Sequence, residues 1–99
     1  MRKVVLLCAA GMSTSLLVNK MRDAAKEEGY DCEINAYALA TAKEHTDADV
    51  ILLGPQVRFG LNNVKKDLPG IPVEAIDMQA YGTMNGKKVI AQVKKLLGD

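Results

Sequence analysis

Apolar and polar positions along the chain fall into two alternating rhythms. Val4-Val5-Leu6-Leu7 and Val50-Ile51-Leu52-Leu53 are continuously apolar, the pattern of strands covered on both faces. Cys32-Glu33-Ile34-Asn35-Ala36-Tyr37 and Val73-Glu74-Ala75-Ile76 alternate, as strands near an edge do. Strands are therefore expected over residues 3–8, 32–37, 49–53 and 72–76. Between them the spacing turns helical. Leu17, Met21, Ala24 and Ala25 mark a first helix that Gly29 closes, Val57, Leu61, Val64 and Leu68 mark another, and Val89, Ile90, Val93, Leu96 and Leu97 mark the last. Residues 39–46 suit a short helix.

Strands alternating with helices imply right-handed crossovers and an α/β fold with a parallel sheet and helices on both faces. With the two continuous strands central, a single open four-stranded sheet in the order 2-1-3-4 follows. The winding then reverses between the first and third strands, and open α/β sheets bind ligands at the carboxyl ends of strands at such a switch point. Cys8 and Gly54-Pro55-Gln56 flank that crevice. The 99 residues suit one domain spanning 1–99.

Composition narrows the function further. Thirteen Lys and Arg against twelve Asp and Glu leave a formal net charge of +1, without the basic excess of a nucleic-acid binder. Cys8 and Cys32 form neither a C-x-x-C redox pair nor a zinc-ligand set, and His45 has no second ligand at metal spacing. Two reduced thiols, no metal and no cofactor are the simplest expectation. The opening Met1-Arg2-Lys3 and its apolar run superficially resemble an export signal. Only four consecutive apolar residues precede Cys8, however, and Leu7 is not the small residue of a lipoprotein cleavage site. No later run reaches membrane-spanning length, so a soluble, cytoplasmic protein is expected.

The thiol at the end of the first strand is the chemically notable group. After Cys8 come Ala9, Ala10, Gly11 and Met12, then Ser13, Thr14 and Ser15 at the start of a helix. Small residues allow backbone amides to turn inward as an anion nest, and a helix amino terminus adds unpaired amides and a positive dipole end. The first 22 residues include Arg2, Lys3, Lys20 and Arg22 but no acidic residue. The same field attracts a thiolate, the nucleophilic form of cysteine. A cysteine in this position is equally able to serve as packing, and the three hydroxyl residues could each be helix caps.

The strings C-A-A-G-M-S-T-S-L-L-V from Cys8, L-L-G-P-Q-V at 52–57 and P-V-E-A-I-D at 72–77 carry a family resemblance. Over essentially its whole length the chain resembles the IIB component of the lactose/cellobiose type of the bacterial phosphoenolpyruvate-dependent sugar phosphotransferase system (PTS). The resemblance implies that Cys8 accepts a phosphoryl group from a histidine of the IIA component. It then passes the group to a sugar, in this family a β-linked disaccharide, bound by the membrane component IIC. It further implies that Ala9 to Ser15 hold the phosphate through amides and hydroxyls. Met12, Pro55, Val57 and Tyr81 are each compatible with core or loop packing, but as an apolar rim around the loop they would suit transient docking of IIA and IIC.

Two other readings compete. A low-molecular-weight phosphatase also carries a cysteine in a phosphate loop, of the form C-x5-R-[ST], but Thr14 stands at the arginine position here. The bidentate clamp on a transferring phosphoryl group is missing. Asp77 would have to be its general acid, whereas a turn or cap after the fourth strand is the simpler role. In a noncatalytic phosphate-binding module Cys8 would only pack. Cys32 on an edge strand reads as packing, and His45, within K-E-H-T-D, as a solvated loop residue. The missing arginine generates a prediction: the protein will not release inorganic phosphate from an aryl phosphate over multiple turnovers. Steady turnover abolished by Cys8→Ser would instead identify a phosphatase.

Overall fold

The computed structural model describes residues 1–9 and 14–99. Four strands, β1 (Arg2–Cys8), β2 (Cys32–Ala38), β3 (Val50–Leu53) and β4 (Val73–Ala75), form one sheet in the order β2-β1-β3-β4. Every pairing is parallel. The helices are α1 (Thr14–Glu28), α2 (Leu61–Asp67), α3 (Met78–Gly82) and α4 (Gly86–Leu97), with 3-10 segments at Leu39–Glu44 and Pro55–Gly60.

Alternation along the central strands splits the core into two layers. Val4, Leu6, Val50 and Leu52 pack with Leu17, Met21, Ile90 and Val93 beneath α1 and α4. Val5, Leu7, Ile51 and Leu53 pack with Ala42, Val57, Val64 and Leu68 on the opposite face. Residues 4–7 and 50–53 are all at most 1 % exposed, which is why both runs are continuously apolar. On the edge strand β2, the Arg22 guanidinium donates to Ile34 O at 2.7 and 3.1 Å and to Asn35 Oδ1 at 3.0 Å.

The register places the two cysteines at opposite ends of the sheet. Arg2 pairs with Cys32 and Cys8 with Ala38, so six strand steps, about 20 Å, separate them. A disulfide needs Cα atoms within about 7 Å, and both thiols are free.

Four departures from the sequence pattern have local causes. Asp49 lies outside β3, its carboxylate accepting the Lys3 amide at 2.7 Å and its own N–H donating to Lys3 O at 2.9 Å. β4 is shorter than expected, although Ile51 N–H still donates to Pro72 O and Ile76 N–H to Leu53 O. The helix expected over Val57 to Leu68 is interrupted, since Val57 adopts φ −118°, ψ 15°, and α2 begins only at Leu61. Five-residue α3 is too short to show a periodic pattern.

Gly86, the first residue of α4, lies against the α1 backbone: a Cβ there would be 2.3 Å from Lys20 O and 2.7 Å from Met21 N. Backbone cannot swing aside as a side chain can, so the two helices must separate to admit a methyl group. Gly86→Ala will therefore cost about 1–3 kcal/mol. Gly82→Ala, with nothing within 4 Å of the added Cβ, will be neutral or slightly stabilising. Urea unfolding of the pair checks both.

Candidate functional site

Cys8 is the last residue of β1. Alternation puts it on the face of Val4 and Leu6, the side covered by α1 and α4. It is 8 % exposed, and its Sγ donates to Tyr37 O at 3.6 Å. Of the expected phosphate loop, Ala9 is half-buried and packs on the opposite core layer, Thr14 begins α1, and Ser15 is exposed in its first turn. Ala10, Gly11, Met12 and Ser13 lie outside the described residues. The described ends of the loop thus join the carboxyl end of β1 to the amino end of α1.

The neighbouring wall is built from the segment after β3. Leu7 pairs with Leu53 and Gly54 N–H donates to Leu7 O at 2.8 Å, so Gly54 continues the register opposite Cys8. Pro55 is half-buried and opens the 3-10 segment. Gln56 folds back over Gly54, its Oε1 2.7 Å from where a Cβ would stand. Its Nε2 donates to the Tyr81 hydroxyl at 3.1 Å. Tyr81, on α3, is half-buried against the core layer beneath α1 and α4.

The expected rim requires correction. Val57 is 4 % exposed and belongs to the core layer on the other face, so it offers a partner no surface. The exposed large apolar residues at this end are Leu16 (49 %), Tyr37 (37 %), Phe59 (79 %) and Met78 (64 %). They follow the carboxyl ends of β1, β2, β3 and β4 respectively or end the strand itself. Phe59 falls outside the Val57, Leu61, Val64, Leu68 spacing, and that mismatch was the signal in the sequence. Arg58 adds a cation, with Nη1 3.8 Å from Met78 Sδ.

His45 is also corrected. It is half-buried rather than solvated, with its ring centroid 4.2 Å from that of Tyr37 and Nε2 3.0 Å from Thr41 Oγ1. Thr41 already donates its hydroxyl to Ala38 O at 2.8 Å, so the imidazole Nε2–H is the donor to Thr41. Asp77 caps α3 as the simpler sequence reading expects, accepting from Ala80 N–H at 3.0 Å. That backbone hydrogen bond first, and then Lys88 at 3.4 Å, hold its carboxyl below the usual carboxylate range. An ionised cap cannot serve as a general acid. Among the described residues no three His, Cys, Asp or Glu side chains converge as metal ligands.

The family model described as "PTS system, Lactose/Cellobiose specific IIB subunit" matches residues 3–92. The chain belongs to this family. It is 46 % identical over 102 residues to the PTS system galactose-specific EIIB component of Lactococcus lactis subsp. cremoris (strain MG1363), covering 95 % of this chain and 94 % of that protein. It is 45 % identical over 100 residues to the oligo-beta-mannoside-specific EIIB component of Bacillus subtilis (strain 168), covering 98 % and 97 %. The solution structure of a cellobiose-specific IIB component from Borrelia burgdorferi superposes with a TM-score of 0.81 at 38 % identity, over 98 % of this chain and 92 % of that one. The lactose-specific IIB domain of Streptococcus pneumoniae gives 0.84 at 26 % identity, over 95 % of each. This IIB component serves PTS sugar uptake, and among its described residues no helix is long and apolar enough to cross a membrane.

The capping role of Asp77 makes a pH-dependent prediction. Its folded pKa is depressed, so its contribution to stability is present above the unfolded carboxylate pKa and is lost as pH falls through the folded value. The Ala80 amide resonance will titrate with a midpoint below the ordinary aspartate value, and Asp77→Ala will abolish that titration.

Proposed function

We propose that this IIB component is a single-domain cytoplasmic phosphocarrier that works through a phosphocysteine at Cys8. The observation that carries the reading is the position of the thiol: last residue of a central strand, at the switch point, beside the chain that leads into α1. Phosphate bound there meets the unpaired amides and positive end of a 15-residue helix. Ala9 to Ser15 form the cradle in this reading.

The Cys8 thiolate attacks the phosphorus of a phosphohistidine on IIA. The Sγ–P bond forms as the P–N bond breaks, and the imidazole keeps the electron pair. In the second transfer a hydroxyl of the sugar held by IIC attacks the same phosphorus. The O–P bond forms as the S–P bond breaks, the thiolate leaves with the S–P electrons, and the hydroxyl proton passes to a base on IIC or to solvent. Neither step consumes a cofactor or metal. Leu16, Phe59 and Met78, exposed around the same end of the sheet, give the donor and acceptor a shared apolar surface.

The sugar itself is bound by IIC and leaves no mark on this chain. Relatives are named for galactose, cellobiose and oligo-beta-mannoside, and a β-linked disaccharide is the class proposed here.

Incubation with phosphorylated IIA will add one phosphoryl group to the wild type and to Cys8→Ser none, with peptide mapping locating it on Cys8. Cys32→Ser will behave as wild type. Burial, and then Asp31, push the Cys32 thiol pKa up. Phosphate mapped to His45 would overturn the assignment.

A further inference from the structure

Gln56, in the segment that builds the wall beside Cys8, has hydrogen-bonding capacity to spare. Gly54 has φ −59° and ψ 147°, an extended conformation that continues the alternation of β3. Position 54 therefore faces the same side as Val50 and Leu52, which share a core layer with Val4 and Leu6. That is also the side of Cys8. A side chain on Gly54 would occupy this space, but there is none, and the Gln56 carboxamide fills it, with Oε1, Cδ and Nε2 2.7, 3.1 and 3.2 Å from the vacant Cβ position. Adjacent strands lie about 4.8 Å apart, so the amide stands roughly one strand spacing from the thiol-bearing residue.

Its donors are oriented. One Nε2 hydrogen goes to the Tyr81 hydroxyl at 3.1 Å. A carboxamide nitrogen has two hydrogens, and the second has no partner among the described residues. Tyr81 accepts this bond and keeps its own hydroxyl proton to donate. Tyr81 is fixed through α3, whose amino end is capped by Asp77. The unit Gly54-Gln56-Tyr81 thus presents neutral donors at the position that pairs opposite Cys8.

We propose that the Gln56 carboxamide, seated over Gly54 and anchored by Tyr81, is a phosphoryl-binding group that donates to the non-bridging oxygens of phosphorylated Cys8. This rests on the phosphocysteine reading and adds to it a side chain outside the Cys8 loop. Gly54 acquires a reason as well: any Cβ would evict the amide from its seat.

The experiment uses wild type, Gln56→Ala, Gly54→Ala and the double variant, each equilibrated with the same pool of phosphorylated IIA. Because the added Cβ of Gly54→Ala meets only the far end of a flexible side chain, this variant will fold with an unchanged thermal midpoint. Losing a hydrogen bond to a charged oxygen will lower the phosphorylation equilibrium constant about tenfold in either single variant. The double variant will be no worse than one alone, since both remove the same contact. In the wild type the Gln56 Nε2 amide resonances will move downfield on phosphorylation. Gln56→Ala phosphorylated to the wild-type extent, or amide resonances that stay in place, overturns the proposal while leaving the carrier intact. A wild type that takes no phosphoryl group on Cys8 overturns the carrier reading itself.

Discussion

The phase of β1 against β3 is the constraint on which the site depends. A strand apolar on both faces does not encode its own register, because a one-residue slip exchanges one buried hydrophobe for another while turning every side chain to the opposite face. Such a slip in β1 would aim Cys8 at α2 and away from α1. The polar residues at the amino end of the strand carry the register instead. Lys3 N–H is held by the Asp49 carboxylate at 2.7 Å and the Lys3 ammonium pairs with Asp47. Arg2 pairs with Asp99 at 2.8 Å. Exposed pairs of this kind contribute little to stability, but each tie has a partner in one register only. They fix the phase of a strand whose hydrophobic burial, on the order of 1.5–3 kcal/mol per large side chain, stabilises it without choosing a direction.

The two ends of the sheet consequently have different chemistry. At the amino end, Tyr30 donates to Asp99 at 2.5 Å beside Arg2, and Lys94 bonds Glu28 at 2.6 Å, joining α4 to α1. Burial first, then the Asp99 hydrogen bond, push the Tyr30 pKa up to about 12. At the carboxyl end Leu16, Phe59 and Met78 lie in solvent beside the uncharged pair Gln56 and Tyr81, with Arg58 against Met78 and the Asp77–Lys88 pair as the charged groups. In the proposed carrier, which would meet a donor and an acceptor in turn, apolar contact area suits both partners, since a buried unpaired charge would be costly against at least one of them.

Much of this architecture was legible from periodicity. The strand order and the switch point followed from two continuous and two alternating runs, and Asp77 read correctly as a cap. The failures are equally physical. Val57 fitted both a rim and the core spacing of Leu61, Val64 and Leu68, and the 3-10 turn at Pro55–Gly60 sends it into the core and Phe59 outward. Gln56 looks like any polar residue after Gly-Pro. Its seat exists only because Gly54 lacks a side chain and Tyr81 comes within reach from α3, a contact between residues 25 positions apart. His45 was misread for the same reason, since Tyr37 and Thr41 reach it from the end of β2 and the segment that follows. Local pattern reports which face a residue takes. It does not report which long-range partner waits there.

Threonine at position 14, where a phosphatase loop carries arginine, bears on how a carrier differs from a hydrolase. An arginine at position 14 would make charge-assisted, bidentate contacts to a transferring phosphoryl group, lowering the barrier to attack by any nucleophile, water included. Thr14 cannot do this, and in the proposed site backbone amides and a carboxamide would supply weaker, neutral donors. They would hold the group without approaching the transition-state stabilisation of a guanidinium. Asp77 is kept ionised by its cap to Ala80 and by Lys88, so it cannot protonate a leaving group. In the proposed carrier a phosphocysteine would therefore persist until a partner completes the electrostatics of transfer. The energetic selectivity of such a shuttle would reside in what its own site leaves unfinished.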